Sequence, residues 1–261
     1  MIWNVSHPEV QHTSYLFGTM HLQSAAAYAH IQEALCKLDL CQSLALEIDL
    51  GEGDPEAERQ AALLPGGQCL KDLIPAKKYN KLERMVTKTT GLRLSRFDRL
   101  LPILTANLLV AAFQPAVHAQ PLDYYLWQQA QERHMPIIGL EDAQGQAQLL
   151  QAISMEEQIR ELLRFGQNVT AARRRLIKLS NLYAQGDASR LYQSIRRSNG
   201  GQRQKVLLQR NHSLTEALVP HLHRAPIFCA VGAGHLSGKY GMPALLARAG
   251  FKVALIPVKR N

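Results

Sequence analysis

Apolar and polar positions follow two rhythms along the chain. Compact apolar runs occur at 14–17 (SYLF), 43–50 (SLALEIDL), 136–142 (PIIGLED), 225–231 (APIFCAV) and 251–258 (FKVALIPV). Runs of about four to eight apolar residues, bounded by Gly, Pro or acids, read as buried strands. Between them the spacing turns helical. Residues 25–38 (AAAYAHIQEALCKL) predict an amphipathic helix, and 68–113 reads as helices, clearest in PAKKYNKLERMV and RLLPILTANLLVAAF. Pro121 stands where it opens a helix. Ser154-x-x-Glu157 is a capping box, and Asp187 is placed to cap ASRLYQSIRR. A second box, Ser213-x-x-Glu216, predicts a helix starting just after Arg210–Asn211. Gly250 ends the helix of GMPALLARAG, and GEGDPEAERQ (51–60) reads as an acidic loop.

The order strand, loop, helix, strand appears twice, once near each end of the chain. Such βαβ units build parallel sheets. The expected fold class is α/β: two related βαβ-containing halves form a central mixed or mainly parallel sheet, with a helical insertion. Residues 1–261 are read as a single domain of two pseudo-repeated halves, with mostly helical insertions at about 68–134 and 147–224.

Composition narrows this reading. The 261 residues are 46% hydrophobic and 6% aromatic, enough for one large core or two smaller ones. The net charge of +9 is spread along the chain, so nucleic acid is not an expected partner. Arg173-Arg174-Arg175 falls within a helical stretch and reads as a solvated face. The four cysteines form no Cys-x-x-Cys and read as free thiols. The N-terminal residues lack the basic-then-apolar order of a leader. LLPILTANLLVAAF is shorter than the roughly 18 residues a spanning helix needs, so it reads as a buried helix or a dimer face. The expected location is the cytoplasm, without a transmembrane segment, and a homo-oligomer is allowed.

The chemistry gathers at the strand ends. FGTMHL and VGAGHL each place Gly-x-x-His after an apolar run, giving His21 and His235. Glu47 and Glu141 each sit at the carboxyl end of a strand. Ligands of open parallel sheets collect beyond that edge, so four candidate ligands or catalysts from distant segments converge. Two imidazoles with one or two carboxylates suit Zn²⁺, Mn²⁺, Co²⁺ or Fe²⁺. A divalent metal with an open position makes bound water nucleophilic near neutral pH, and a second carboxylate can act as general base. Gly18, Gly232 and Gly234 allow tight turns and close approach to a ligand. Arg210 and Asn211, at an expected helix N-terminus, suit a carboxylate or a developing oxyanion. Tyr240 offers a hydroxyl nearby. The remaining histidines lack such a context, and His-Glu-x-x-His, Gly-x-Ser-x-Gly and phosphate-loop motifs are absent.

FGTMHLQS, LALEIDL, PLDYYLWQQAQERHMPIIGLEDAQGQ, LYAQGDASRLY, LLQRNHSLTEAL and FCAVGAGHLSGKYGMPALLARAGFKV resemble, in order, the TraB/GumN family. That family includes the animal Tiki peptidases and bacterial pheromone-shutdown proteins. The resemblance spans about 13–258 and is least distinctive over 52–118. It implies a fold like erythromycin esterase and ChaN-type haem-binding proteins, and a divalent-metal-dependent hydrolase, with Mn²⁺ or Co²⁺ favoured and Zn²⁺ allowed. Animal Tiki proteins are described as Mn²⁺ or Co²⁺ peptidases that trim a secreted signalling protein near its N-terminus. On this chain His21 and His235 are the motif histidines, Glu47 and Glu141 the motif acids, and Arg210–Asn211 the Arg-Asn pair. The chain departs in lacking a leader and a membrane anchor, so a different substrate from the secreted one is expected.

The expected function is a metal-dependent hydrolase acting on peptides or exposed N-termini. His21, Glu47 and His235 hold the metal. Glu141 is a further ligand or the general base, and Arg210 and Asn211 orient substrate. Gly18, Gly232, Gly234 and Tyr240 line the substrate site. Two other classes use the same chain differently: a non-catalytic module that captures a peptide or haem in this pocket, and a regulatory partner acting through the basic helices of 160–210.

Overall fold

A computed structural model describes residues 1–52, 54–142, 145, 152–196 and 201–257. The predicted insertion at 147–224 therefore includes 147–151 and 197–200, which lie outside the described residues. The fold is α/β, with one six-stranded mixed sheet. Contacts group the chain into two units. One comprises Met1–Glu52, Ala116–Asp142 and Leu179–Asn261; the other comprises Gly53–Pro115 and Ala143–Lys178.

The first unit holds the sheet: β1 (Ile2–Ser6), β2 (Thr13–Thr19), β3 (Ser43–Leu46), β4 (Ile137–Gly139), β5 (Ile227–Gly232) and β6 (Lys252–Leu255), in the order β4-β3-β5-β2-β1-β6. The pairs β4–β3, β3–β5 and β5–β2 are parallel, and β1 runs antiparallel to both β2 and β6. The apolar runs predict five of these strands. They do not predict β1, whose five residues are broken by the exposed Asn4. β5 slots between β2 and β3, and β2 and β1 lie between β5 and β6, so neither βαβ unit joins neighbouring strands.

Alternate residues of the central strands enter two cores. Leu16, Cys229 and Val231 face the core shared with Tyr183, Leu214, Leu218, Leu222, Met242 and Leu246. Tyr15, Phe17, Phe228 and Ala230 face the one shared with Ala34, Leu38, Leu122, Leu126 and Ala130. The sheet is thus covered on both faces, by Gly201–Arg224 and Met242–Arg248 on one and by Ile31–Leu38 and Leu122–Glu132 on the other. That double burial is why the strands read as unbroken apolar runs.

The second unit is helical. Leu82 and Val86 of Ala76–Thr90, Ile103 and Leu109 of Pro102–Ala111, and Leu162 and Phe165 of Met155–Gln167 are buried. Phe113 stacks on Phe165 with ring centroids 5.4 Å apart. The acidic stretch 51–60, expected as a loop, instead contains the helix Pro55–Ala61. Asp54 Oδ1 accepts the Glu56 N–H, and Glu56 pairs with Arg59 one turn on. Among the described residues no helix is long and apolar enough to cross a membrane, and the four cysteines are free.

The largest difference concerns Arg210 and Asn211. The expected helix start after them does not exist. Both lie inside the 24-residue helix Gly201–Arg224. Ser213 Oγ bonds back to the Gln209 carbonyl, and Thr215 Oγ1 to that of Asn211. A Ser-x-x-Glu pattern caps only where the Ser stands outside the helix at its start, and inside a helix its hydroxyl bonds back to the preceding turn. Here the buried stripe of Leu214, Leu218 and Leu222 keeps the helix docked on the sheet. No helix dipole therefore serves Arg210, and both side chains act from the flank of the helix.

A Cβ on Gly241 would lie 2.6–2.8 Å from backbone atoms of Ser237, whereas one on Gly234 meets nothing within 4 Å. Gly241→Ala should therefore destabilise the fold by about 2 kcal/mol, the usual scale of overpacking, and Gly234→Ala should leave it unchanged. Equal melting temperatures for the two variants would contradict this packing.

Candidate functional site

Strand register brings the two Gly-x-x-His motifs together. Thr19, the last residue of β2, pairs with Gly232, the last of β5. His21 follows one end and His235 the other, within a short 3₁₀ turn, Ala233–Leu236. Glu47 follows β3 directly. The Glu141 N–H donates to the Glu47 carbonyl at 2.8 Å, extending the β3–β4 ladder past its last paired residues.

The acidic side chains form a clamp with one guanidinium. Arg210 Nη2 donates to Glu47 Oε2 at 2.6 Å and to Glu141 Oε2 at 2.8 Å, and Nε reaches both Glu141 oxygens at 3.1–3.2 Å. Glu47 Oε1 accepts the Gly232 N–H at 2.7 Å and lies 3.6 Å from His235 Nε2. His235 is buried, and its Nδ1 sits 2.6 Å from Asn211 Oδ1. The Asn211 amide nitrogen donates to the Tyr240 carbonyl at 2.6 Å. Tyr240 thus meets this network through its backbone.

His21 is held differently. Its Nδ1 lies 2.7 Å from Asp123 Oδ2, while 67% of its side chain stays open to solvent. Thr19 Oγ1 donates to the other Asp123 oxygen at 2.5 Å. The fully buried Tyr183 pins the end of β2, its hydroxyl donating to the Gly18 carbonyl at 2.7 Å.

The glycines act through space more than through backbone torsion. None of Gly18, Gly232 and Gly234 has positive φ, so the expectation that they permit special turns is not met. A Cβ on Gly18 would crowd Ala233 and Leu236 at 3.2–3.3 Å. A Cβ on Gly232 would lie 3.3 Å from Glu47 Oε1, 3.6 Å from His235 Cδ2 and 3.9 Å from His21 Nε2. The missing methyl at Gly232 therefore marks the point on which both histidines and Glu47 converge.

A model of the TraB/PrgY/gumN family matches residues 1–255. The chain belongs to this family. It is also similar to the metalloprotease TIKI2 of Danio rerio, 24% identical over 314 residues that cover 98% of this chain and 61% of the relative. The chain thus spans less than two thirds of that relative's length. No solved structure matches it.

In this TraB/PrgY/gumN chain the donor chemistry fits a divalent metal. Two imidazoles and a carboxylate ring the Gly232 cradle. Glu47 and Glu141 face the Arg210 guanidinium and Asp123 faces His21, a net of −1 while His21 is protonated and −2 once a cation takes that proton's place. Among the described residues, the donor trio whose ligand atoms all lie within 4.8 Å of one another is a different one, His7, Glu9 and His223. It lies at the opposite edge of the sheet, beyond the end of β1, with Glu9 and His223 exposed. His21, Glu47 and His235 do not meet that spacing, so a cation bonded at about 2 Å requires them to draw inward.

Electrostatics separate the two imidazoles. The Asp123 carboxylate beside it raises His21 to about 9. Burial lowers His235 to about 4, so it is neutral at physiological pH with a ring nitrogen available to a cation. Burial alone would raise Glu47, but His235, Arg210, His21 and the Gly232 N–H outweigh it and lower the carboxyl to about 2.

Asp123, Thr19 and Tyr183 were not legible as site residues. An acid in the first turn of a helix is the ordinary complement to its dipole, and nothing in PLDYYLW separates Asp123 from that reading.

Two outcomes follow. Glu47 has a folded value of about 2 against 4.5 unfolded, so its contribution is complete above pH 4.5 and is lost as the pH falls through 2. The denaturant midpoint should drop across that window, and Glu47→Gln should flatten the drop; an unchanged slope would refute the assignment. Arg210→Met strands two buried carboxylates and should cost about 3 kcal/mol, read by urea denaturation in chelator. A loss under about 0.5 kcal/mol, the scale of a surface pair, would show that the clamp contributes little.

Proposed function

We propose that this chain is a divalent-metal-dependent hydrolase of peptides or exposed N-termini. The observation that carries the reading is the convergence of His21 Nε2, Glu47 Oε1 and the His235 ring on the space over Gly232. The similarity to a metalloprotease supports it. His21, Glu47 and His235 would hold the metal, with Mn²⁺ or Co²⁺ favoured and Zn²⁺ allowed. Bound there, it supplies Lewis acidity and an activated water.

The other residues have assignable tasks. Gly232 keeps the floor free of a side chain, so that substrate backbone can approach, whereas Gly18 lets Ala233 and Leu236 pack closely on β2. Arg210 fixes Glu47 and Glu141 against each other, and its remaining nitrogen, Nη1, is the donor we assign to a substrate oxygen. Among the described residues Glu141 Oε1 receives the Arg210 Nε contact alone, at 3.2 Å, and it is the atom assigned to move a proton. A cytoplasmic peptide is the substrate assigned to this chain.

His21→Ala, His235→Ala and Glu47→Ala should each abolish hydrolysis of a peptide library in Mn²⁺ or Co²⁺ and lower metal affinity at least 100-fold, with the circular dichroism spectrum retained. Metal uptake should release a proton from His21 below pH 9, so affinity should rise with pH up to that value. Full activity in the His21→Ala/His235→Ala double variant would defeat the proposal. A haem absorption band without turnover would favour the binding module instead.

A further inference from the structure

Each of the two converging imidazoles is gripped at Nδ1 by a helix, and the two helices cover opposite faces of the sheet. Asp123 belongs to Leu122–Glu132 and Asn211 to Gly201–Arg224. Their neighbours decide which atoms they present. The Asn211 amide nitrogen donates to the Tyr240 carbonyl at 2.6 Å, so its oxygen is the atom facing His235 Nδ1, also at 2.6 Å. An oxygen can only accept, so the ring proton must sit on Nδ1 and Nε2 must carry a lone pair. Thr19 donates to one Asp123 oxygen and leaves the other 2.7 Å from His21 Nδ1. That oxygen is buried and accepts no aligned hydrogen bond among the described residues, so a proton on His21 Nδ1, 2.7 Å away, is the donor that can satisfy it. Both Nε2 atoms then face the Gly232–Glu47 cradle, at 3.9 Å from the Gly232 Cβ position for His21 and 3.6 Å from Glu47 Oε1 for His235.

We propose that Asp123 and Asn211 are paired positioning residues: each fixes one histidine in the Nδ1–H tautomer, so that both rings present a bare Nε2 to a shared ligand. Neither touches the reacting atoms. Thr19 and the Tyr240 carbonyl are the outer groups that keep them from turning over. The pairing makes the site two-sided, since losing the grip on either face misaligns one donor and leaves the other intact. Outer partners of this kind are worth about 10–100-fold in metal affinity.

The tautomer proposal is independent of the metal, but its consequence for affinity rests on the metal-centre reading, so two measurements are needed. The first uses the full-length ¹⁵N-histidine-labelled protein in chelator, at a pH where both rings are neutral, and reads tautomers from long-range ¹H–¹⁵N correlations. His21 and His235 should both be Nδ1–H. In Asp123→Asn, Thr19 holds the amide oxygen, so the amide nitrogen faces His21 and should flip it to Nε2–H. Asn211→Leu should release His235 from the Nδ1–H form. Asn211→Asp, which keeps an acceptor and is the milder change in a buried position, should preserve it. Unchanged tautomers in Asp123→Asn and Asn211→Leu, or Nε2–H rings in the parent, overturn the proposal. The second measurement titrates Mn²⁺, Co²⁺ and Zn²⁺ calorimetrically. A 10–100-fold loss in Asp123→Asn and Asn211→Leu, with Asn211→Asp closer to the parent, supports both readings. Flipped tautomers in a protein whose parent binds none of the three ions uphold the positioning and overturn the metal centre.

Discussion

One guanidinium holds the functional edge of this protein together. Arg210 binds Glu47 and Glu141 at 2.6–3.2 Å, and both carboxylates are mostly buried. Without it, two like charges at the ends of adjacent strands would face each other in a poorly solvated cleft. Burial works against the charge on Arg210 itself, and the two acids more than offset that effect. The clamp also ties layers together, because its cation comes from a helix on one face and its anions from the sheet. What the cluster lacks is balance. With Asp123 and the His21 that it keeps protonated to about pH 9 both counted, the acids exceed the cations by one charge, and by two once a bound cation displaces that proton.

Parallel pairing converts that clamp into a site. β2, β5, β3 and β4 all point the same way, so whatever follows each strand arrives at one edge. The pairing of Thr19 with Gly232 sets the two histidine loops side by side. Gly232 contributes by having no side chain where Glu47, His235 and His21 approach. Family membership and the similarity to a metalloprotease agree with this arrangement, and the geometry indicates which atoms face inward.

The apolar runs were readable because the sheet is buried on both faces, which removes polar interruptions. β1 was hidden because Asn4 faces outward in a strand of five residues. The paired Gly-x-x-His motifs pointed to the correct edge because strand ends concentrate ligands whatever the sequence between them. Asp123 stayed hidden because its meaning depends on the packing of Leu122–Glu132 under β2, a tertiary fact without a local pattern. Ser213 and Glu216 misled for the converse reason: a local capping signal was overridden by a leucine stripe that keeps one long helix docked. Arg210 and Asn211 do reach Glu47, Glu141 and His235, but the helix end thought to empower them is absent.

The placement of β5 has a bearing on synthesis and folding. Its two neighbours, β2 and β3, lie in the first fifth of the chain, yet β5 is made almost last. Until residues 227–232 emerge from the ribosome, the middle of the sheet has no occupant, and the exposed edges of β2 and β3 are free to pair wrongly. Contacts between such distant segments make assembly slow. The same delay withholds His235 and the Gly232 cradle, so until β5 is in place the edge at which His21 and Glu47 stand is incomplete.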